Sequence, residues 1–294
     1  MIKKGVYAAG LSVLNHDYTL NIEATISHAA SSINNGLHGV FFFGSTGQSQ
    51  LISISEKKEL ISKIANHKLR KNFFLGTGSN SIKETIELIQ YGFEYDFRDF
   101  LIMPPAYYVG NTDEGVFNFY SHIISKVSKI KIILYNFEKL SGYKFSSEAV
   151  MKLVKTFPEN IIGCKDSSYN LFENLKLPNF LMFPGSEAKL LKGLELDCSG
   201  CISAVTNVTH SLARKVFDEF EKKEIQTQNE KLIAVRKIFD KYNLISALHS
   251  FMSIKNENFK NLLPPLVLLD DEKKNDLINE LNDLKFIMEK NLAA

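Results

Sequence analysis

The run IIGCKDSSYN, residues 161–170, carries an apolar stretch straight into Lys165 and then into a polar turn that includes Ser167. A lysine at a strand end is ordinarily a solvated rim residue. In a desolvated mouth, however, the ammonium is disfavoured and the neutral amine gains ground. A neutral lysine can attack a carbonyl carbon and form a Schiff base. Upstream, IILYN (132–136) ends another apolar run at Tyr135. If the two runs are neighbouring parallel strands, they lie about 4.8 Å apart. The phenol would then reach a substrate on the lysine and move its protons. Taken alone, Tyr135 reads equally well as an aromatic strand end. In FFFGSTGQSQ (41–50), Gly44 and Gly47 bracket Ser45 and Thr46. That pattern frees backbone N–H groups and two hydroxyls for a small carboxylate or phosphate, although an ordinary turn has the same spacing.

Something must hold these three stretches together. Short apolar runs over 6–9, 40–43, 73–75, 100–103, 132–135, 161–165, 181–183 and 201–204 have the length of buried strands. Amphipathic patterns follow them over 22–34, 56–65, 82–91, 116–127, 148–156, 171–175, 189–194 and 212–221, as helices do. Ser53 and Glu56 have the spacing of a capping box. Eight strand–helix units predict an α/β (β/α)8 TIM barrel over residues 1–225, with additional C-terminal helices over 226–294. Runs apolar on both faces suit a parallel sheet covered by helices. A doubly wound open sheet would show the same alternation. The reactive side chains cluster after the second, fourth, fifth and sixth strands, and that favours the C-terminal rim of a barrel.

Composition narrows the partners. The chain has 294 residues, 45% hydrophobic and 23% charged, with a formal charge of +2. It has no basic stripe, so nucleic acid is not expected, and no run approaches the roughly 18 apolar residues of a membrane span. Lysines followed by an apolar stretch near the N-terminus imitate a signal peptide, but a first strand is the better reading. Three cysteines, Cys164, Cys198 and Cys201, fit a reducing, cytoplasmic setting. CSGC has redox or zinc spacing without a second pair, and reads as plain buried thiols. GTGSNS (76–81) matches a dinucleotide loop only loosely, and Asn207-Val-Thr209 is a sequon without meaning in the cytoplasm.

Taken in order, GSTG, PPAYY, YNFEKLSG and GCKDSS resemble the pyruvate-dependent class I aldolase family. This family includes N-acetylneuraminate lyase, 2-keto-3-deoxygluconate aldolase and dihydrodipicolinate synthase. The resemblance spans nearly the whole chain. It implies that Lys165 is the Schiff-base lysine and Tyr135 the proton-moving tyrosine. It makes Ser45 the hydroxyl relay and Tyr107 a tyrosine lent by a neighbouring subunit. Thr46 would grip the substrate carboxylate, and Gly185 and Ile202 would line the pyruvate pocket with their backbone. The implied enzyme needs no metal or organic cofactor, binds a small keto acid and assembles as a homotetramer, a dimer of dimers.

The chain also departs from the family that it resembles. Dihydrodipicolinate synthase places an arginine where Leu140 stands, and leucine cannot make its carboxylate contact. The acidic pair that N-acetylneuraminate lyase uses on sugar hydroxyls becomes Glu187 and Ala188, and a later serine becomes Ala204. Glu138 replaces a common proline, and Gln48 a glutamate. The expected reaction is cleavage of a 2-keto-3-deoxy sugar acid or sialic-acid-like substrate, with Glu187 or Ser167 on its hydroxyls. The alternatives are dihydrodipicolinate synthase, with Lys139 in the arginine's role, a keto-deoxy acid dehydratase, and a non-catalytic keto-acid sensor.

Overall fold

The computed structural model describes residues 1–286. Eight strands, β1 (Gly5–Ala9), β2 (Gly39–Phe42), β3 (Phe73–Gly76), β4 (Asp99–Ile102), β5 (Lys131–Asn136), β6 (Ile161–Asp166), β7 (Leu181–Pro184) and β8 (Gly200–Ser203), form one parallel sheet. The sheet order is β7-β6-β5-β4-β3-β2-β1-β8. Its two ends meet where the Ser199 amide donates to the Met182 carbonyl at 2.7 Å. A sheet in chain order with joined ends is a barrel, and the open-sheet alternative falls away.

Helices cover the outside: α1 (Ile22–Asn34), α2 (Ile54–Ala65), α3 (Ile82–Glu94), α4 (Asp113–Lys126), the short α5 (Glu138–Ser141), α6 (Ser147–Thr156), α7 (Leu190–Glu195) and α8 (Thr206–Glu221). The Ser53–Glu56 capping box opens α2. Then come α9 (Asn229–Phe239), α10 (Leu244–Met252) and α11 (Asp271–Asp283). The helical pattern read to residue 290 passes outside the described residues after 286.

One expected helix is absent. Residues 171–175 make a single turn, with Leu175 N donating to Leu171 O at 2.8 Å. Asp166 takes the backbone N–H groups of Tyr169, Leu171 and Phe172. A side chain that satisfies these donors offers the backbone an alternative to a helix. Pro178 then disfavours helical geometry at Leu177.

Side chains alternate across the strands, so each contributes to two cores. Val6, Val40, Ile132, Leu134 and Cys164 face the helices. Tyr7, Phe41, Phe74, Leu101, Ile133, Tyr135, Phe183 and Ile202 fill the barrel interior. Tyr7 meets Phe74 edge-on at 5.6 Å and Phe183 at 5.8 Å, while Phe41 stacks on Phe74 at 5.0 Å. These rings plug the barrel, so a ligand must sit above them, at the strands' C-terminal ends. A third cluster joins α9, α10 and α11 to Leu11, Val13 and Val205 near the ends of β1 and β8.

Candidate active site

A cavity of about 930 Å³ opens at that C-terminal rim. β6 ends with Lys165 and Asp166 on opposite faces. Asp166 points away from the cavity and is fully buried. Its carboxylate accepts from Asn136 Nδ2 at 2.8 Å and from three backbone amides at 2.8–3.0 Å. Asn136 Nδ2 also donates to Asn170 Oδ1 at 2.8 Å, and Asn136 Oδ1 accepts from Phe145 N at 3.1 Å. This network fixes the ends of β5 and β6, and alternation then turns Lys165 inward.

Lys165 pairs in register with Tyr135 on β5. Both side chains line the cavity, and Lys165 is only 2% exposed. The lysine Nζ lies over the Tyr135 ring, 4.1 Å from its centroid. It has no ion-pair or hydrogen-bond partner among the described residues. The Tyr135 hydroxyl is 3.0 Å from Ser45 Oγ. Ser45 and Thr46 sit in a 3-10 turn, Ser45–Gly47, directly after β2. Ser12 Oγ donates to Gly47 O at 2.7 Å and pins that turn. Three side chains from three distant segments thus form an amine, a phenol and a hydroxyl in sequence. That is the equipment for imine formation and proton transfer at one carbon.

Gly185 lines the cavity beside Ser167, and its amide donates to Asp166 O at 2.8 Å. A Cβ at Gly185 would lie 2.0 Å from Ser167 Oγ, so only glycine lets the two loops close together. Leu140 and Lys139, on α5, reach the rim. Thr77, Gly78 and Ser79, from the loop that loosely resembles a dinucleotide motif, also line the cavity.

Three of the expected positions lie outside this chain's own cavity. Ile202 is buried among the barrel-plugging side chains, below the cavity wall. Glu187 does not line the cavity; it is fully buried, accepting from Ser203 Oγ and from Arg236 Nη1 at 3.1 Å. Tyr107 is 84% exposed, with a left-handed φ of 82°, and stands outside its own subunit's cavity. It forms an exposed aromatic patch with Tyr108, their rings 5.2 Å apart.

Arg236, Asp240 and Asn243, from α9 and the turn after it, also line the cavity, and the sequence reading did not single them out. Burial works against the Arg236 charge, but the Glu187 and Asp240 carboxylates outweigh it and hold the guanidinium firmly protonated. The only available signal was the spacing of Arg236 and Asp240 on one helical pattern, which is common on solvated faces.

The other singled-out motifs are structural. Cys198 and Cys201 are buried and free, and burial pushes the Cys198 thiol up to about 11. Asn207 is buried and donates to Ala9 O at 2.8 Å, so the sequon is enclosed.

The model of the dihydrodipicolinate synthetase family matches residues 3–284. The chain belongs to that family. It is therefore a pyruvate-dependent, Schiff-base class I lyase or aldolase. A 4-hydroxy-tetrahydrodipicolinate synthase of Pelagibacter ubique is 30% identical, covering 94% of this chain and 93% of its own. A 2-dehydro-3-deoxy-D-gluconate/2-dehydro-3-deoxy-phosphogluconate aldolase of Picrophilus torridus is 28% identical, covering 77% and 86%. Among solved structures, dihydrodipicolinate synthase from Agrobacterium tumefaciens superposes with a TM-score of 0.83 over 96% of this chain and 99% of that one, at 24% identity. The names of these relatives diverge over the second substrate. Among the described residues no helix is long and apolar enough to cross a membrane.

Proposed function

We propose that the enzyme cleaves a 2-keto-3-deoxy sugar acid, or a sialic-acid-like homologue, to pyruvate and an aldehyde through a Schiff base on Lys165. The observation that carries this reading is the buried, unpaired Lys165 in register with Tyr135, whose phenol meets Ser45 at 3.0 Å. Lys165 Nζ attacks the C2 carbonyl, and Tyr135 gives its phenol proton to the departing hydroxide, so that water leaves and a protonated imine stands beside the phenolate. Tyr135 takes the proton of the C4 hydroxyl as the C3–C4 bond breaks, and the imine accepts the electron pair as an enamine. The aldehyde leaves. Protonation of the enamine at C3 and hydrolysis then release pyruvate and free the lysine. Ser45 relays protons between Tyr135 and the substrate, and Thr46, in the turn above β2, receives the carboxylate. The imine is the electron sink, so the cycle needs no metal or organic cofactor.

Leu140 on the cavity wall disfavours synthesis from aspartate semialdehyde, since an aliphatic side chain offers a second carboxylate no donor. The exposed Tyr107 suits a role completing a neighbour's site, within a homotetramer built as a dimer of dimers. Borohydride added with pyruvate should trap an adduct that peptide mass spectrometry places on Lys165. Trapping on another lysine, or none at saturating pyruvate, refutes the assignment. A fully active monomer in light scattering removes Tyr107 from the site.

A further inference from the structure

We propose that Arg236, Asp240 and Asn243 form a specificity wall that selects an uncharged, polyhydroxylated aldehyde portion over one ending in phosphate. This rests on the lyase reading above and deepens it by naming the class of the leaving aldehyde.

A guanidinium in a sugar-acid site suggests an anion receptor at first sight. The donors of Arg236 show otherwise. Nε donates to Asp240 Oδ1 at 2.8 Å, and Nη1 donates to Glu187 Oε2 and to Ser203 Oγ, both at 3.1 Å. Three of five N–H groups are committed, two of them to carboxylates. The local sum of Arg236, Glu187 and Asp240 is one net negative charge. Glu187 and Arg236 are both buried, so these charges are poorly screened. A phosphate placed here would bring about −1.5 to −2 further charges against that balance.

What remains free is suited to hydroxyls. Nη2 of Arg236 makes no hydrogen bond among the described residues, and Arg236 lines the cavity. Asp240 is half exposed, and its Oδ2 has no partner among them. Asn243 uses Oδ1 to cap α10 through Ser246 N at 3.2 Å, leaving Nδ2 as a donor. Two donor groups and one acceptor on one wall match a sugar chain, where each hydroxyl both donates and accepts. Besides Lys165, which is taken up by the imine, the cavity is lined by Lys139, which stands on the exposed α5 at the rim, where solvent screens it. Glu187 thus acts as a positioning residue. It holds Arg236, and Arg236 meets the substrate.

The test compares kcat/KM for pyruvate release from a six-carbon 2-keto-3-deoxy aldonic acid and from its 6-phosphate. The wild type should favour the unphosphorylated acid by about tenfold or more, the scale of one charge-assisted contact. Asp240→Asn keeps the shape, removes one negative charge and releases part of the Arg236 charge. It should shift the ratio toward the phosphorylated acid by about tenfold, mainly through KM. A wild-type preference for the phosphorylated acid overturns the inference, as does an Asp240→Asn change equal for both substrates. Borohydride trapping with pyruvate alone reads the lyase assignment separately. An enzyme that traps pyruvate on Lys165 yet prefers the phosphate refutes only the specificity wall, whereas one that traps none refutes the reading beneath it.

Discussion

Replacing Tyr135 by Phe removes one oxygen atom from the site. The ring stays, and with it the tilted contact to Phe137 at 6.0 Å and the face beneath the Lys165 amine. The lost hydrogen bond, 3.0 Å to Ser45, has a net value of about 0.5–1.5 kcal/mol. Its cost should fall at the low end, because Ser45 lines the cavity and water can replace the phenol. The catalytic loss should be much larger. A positioned general acid–base contributes about 10²–10⁴ in rate, or roughly 3–5 kcal/mol of barrier. Activity and stability should therefore separate. Single-turnover pyruvate release, followed by a coupled NADH-dependent reduction, should slow by about a hundredfold or more. The melting temperature should drop by only about 1–3 °C for a chain of this size. Borohydride trapping should be slower but complete, because loss of water from the first adduct needs the same proton donor. A variant within about threefold of wild type would leave Tyr135 a packing residue. A collapse in melting temperature matching the lost activity would refute the reasoning in a different way, by making the hydroxyl structural.

Ser45→Ala should cost less than Tyr135→Phe, about tenfold in kcat, and the double variant should fall well short of the summed losses, because the two hydroxyls act as one relay. Additive losses would separate their roles. Leu140→Arg should raise kcat/KM for condensing pyruvate with aspartate semialdehyde by about tenfold or more, read in side-by-side kinetics with the wild type; no gain would mean that the second carboxylate binds elsewhere. Burial holds His28 and His249 down to about 4, from an ordinary 6.5. Below pH 6.5 the unfolded chain takes up protons that the folded one refuses, so stability should fall as pH drops from about 6.5 to 4, by up to about 3 kcal/mol for each residue. Urea midpoints at pH 7 and pH 4.5 measure this, and His28→Gln should flatten the dependence; equal midpoints in the wild type would refute it.

The local chemistry of the barrel was legible in the sequence. Apolar runs of strand length, the Ser53 capping box and helix periodicity are one-dimensional signals, and they located eight strands and most of the helices between them. Lys165 and Tyr135 were legible too, because each sits at a strand end and strand order in a parallel barrel makes the ends of consecutive strands neighbours, whereas Ser45, after β2, was joined to Tyr135 only by the family resemblance. The missing helix at 171–175 was not legible, since its periodicity is sound and the Asp166 carboxylate overrides it through bonds to three backbone amides. Glu187 misled for a related reason. Its position after β7 suggests the cavity, but which way a carboxylate points depends on the charge opposite it. That charge is Arg236, 49 residues further on and brought back over the barrel mouth by the apolar packing of α9 to α11. Sequence spacing carries periodicity and adjacency between consecutive strands. The pairing of two buried charges on separate returns of the chain exists only once the chain has closed, and here that pairing fixes which groups face the substrate.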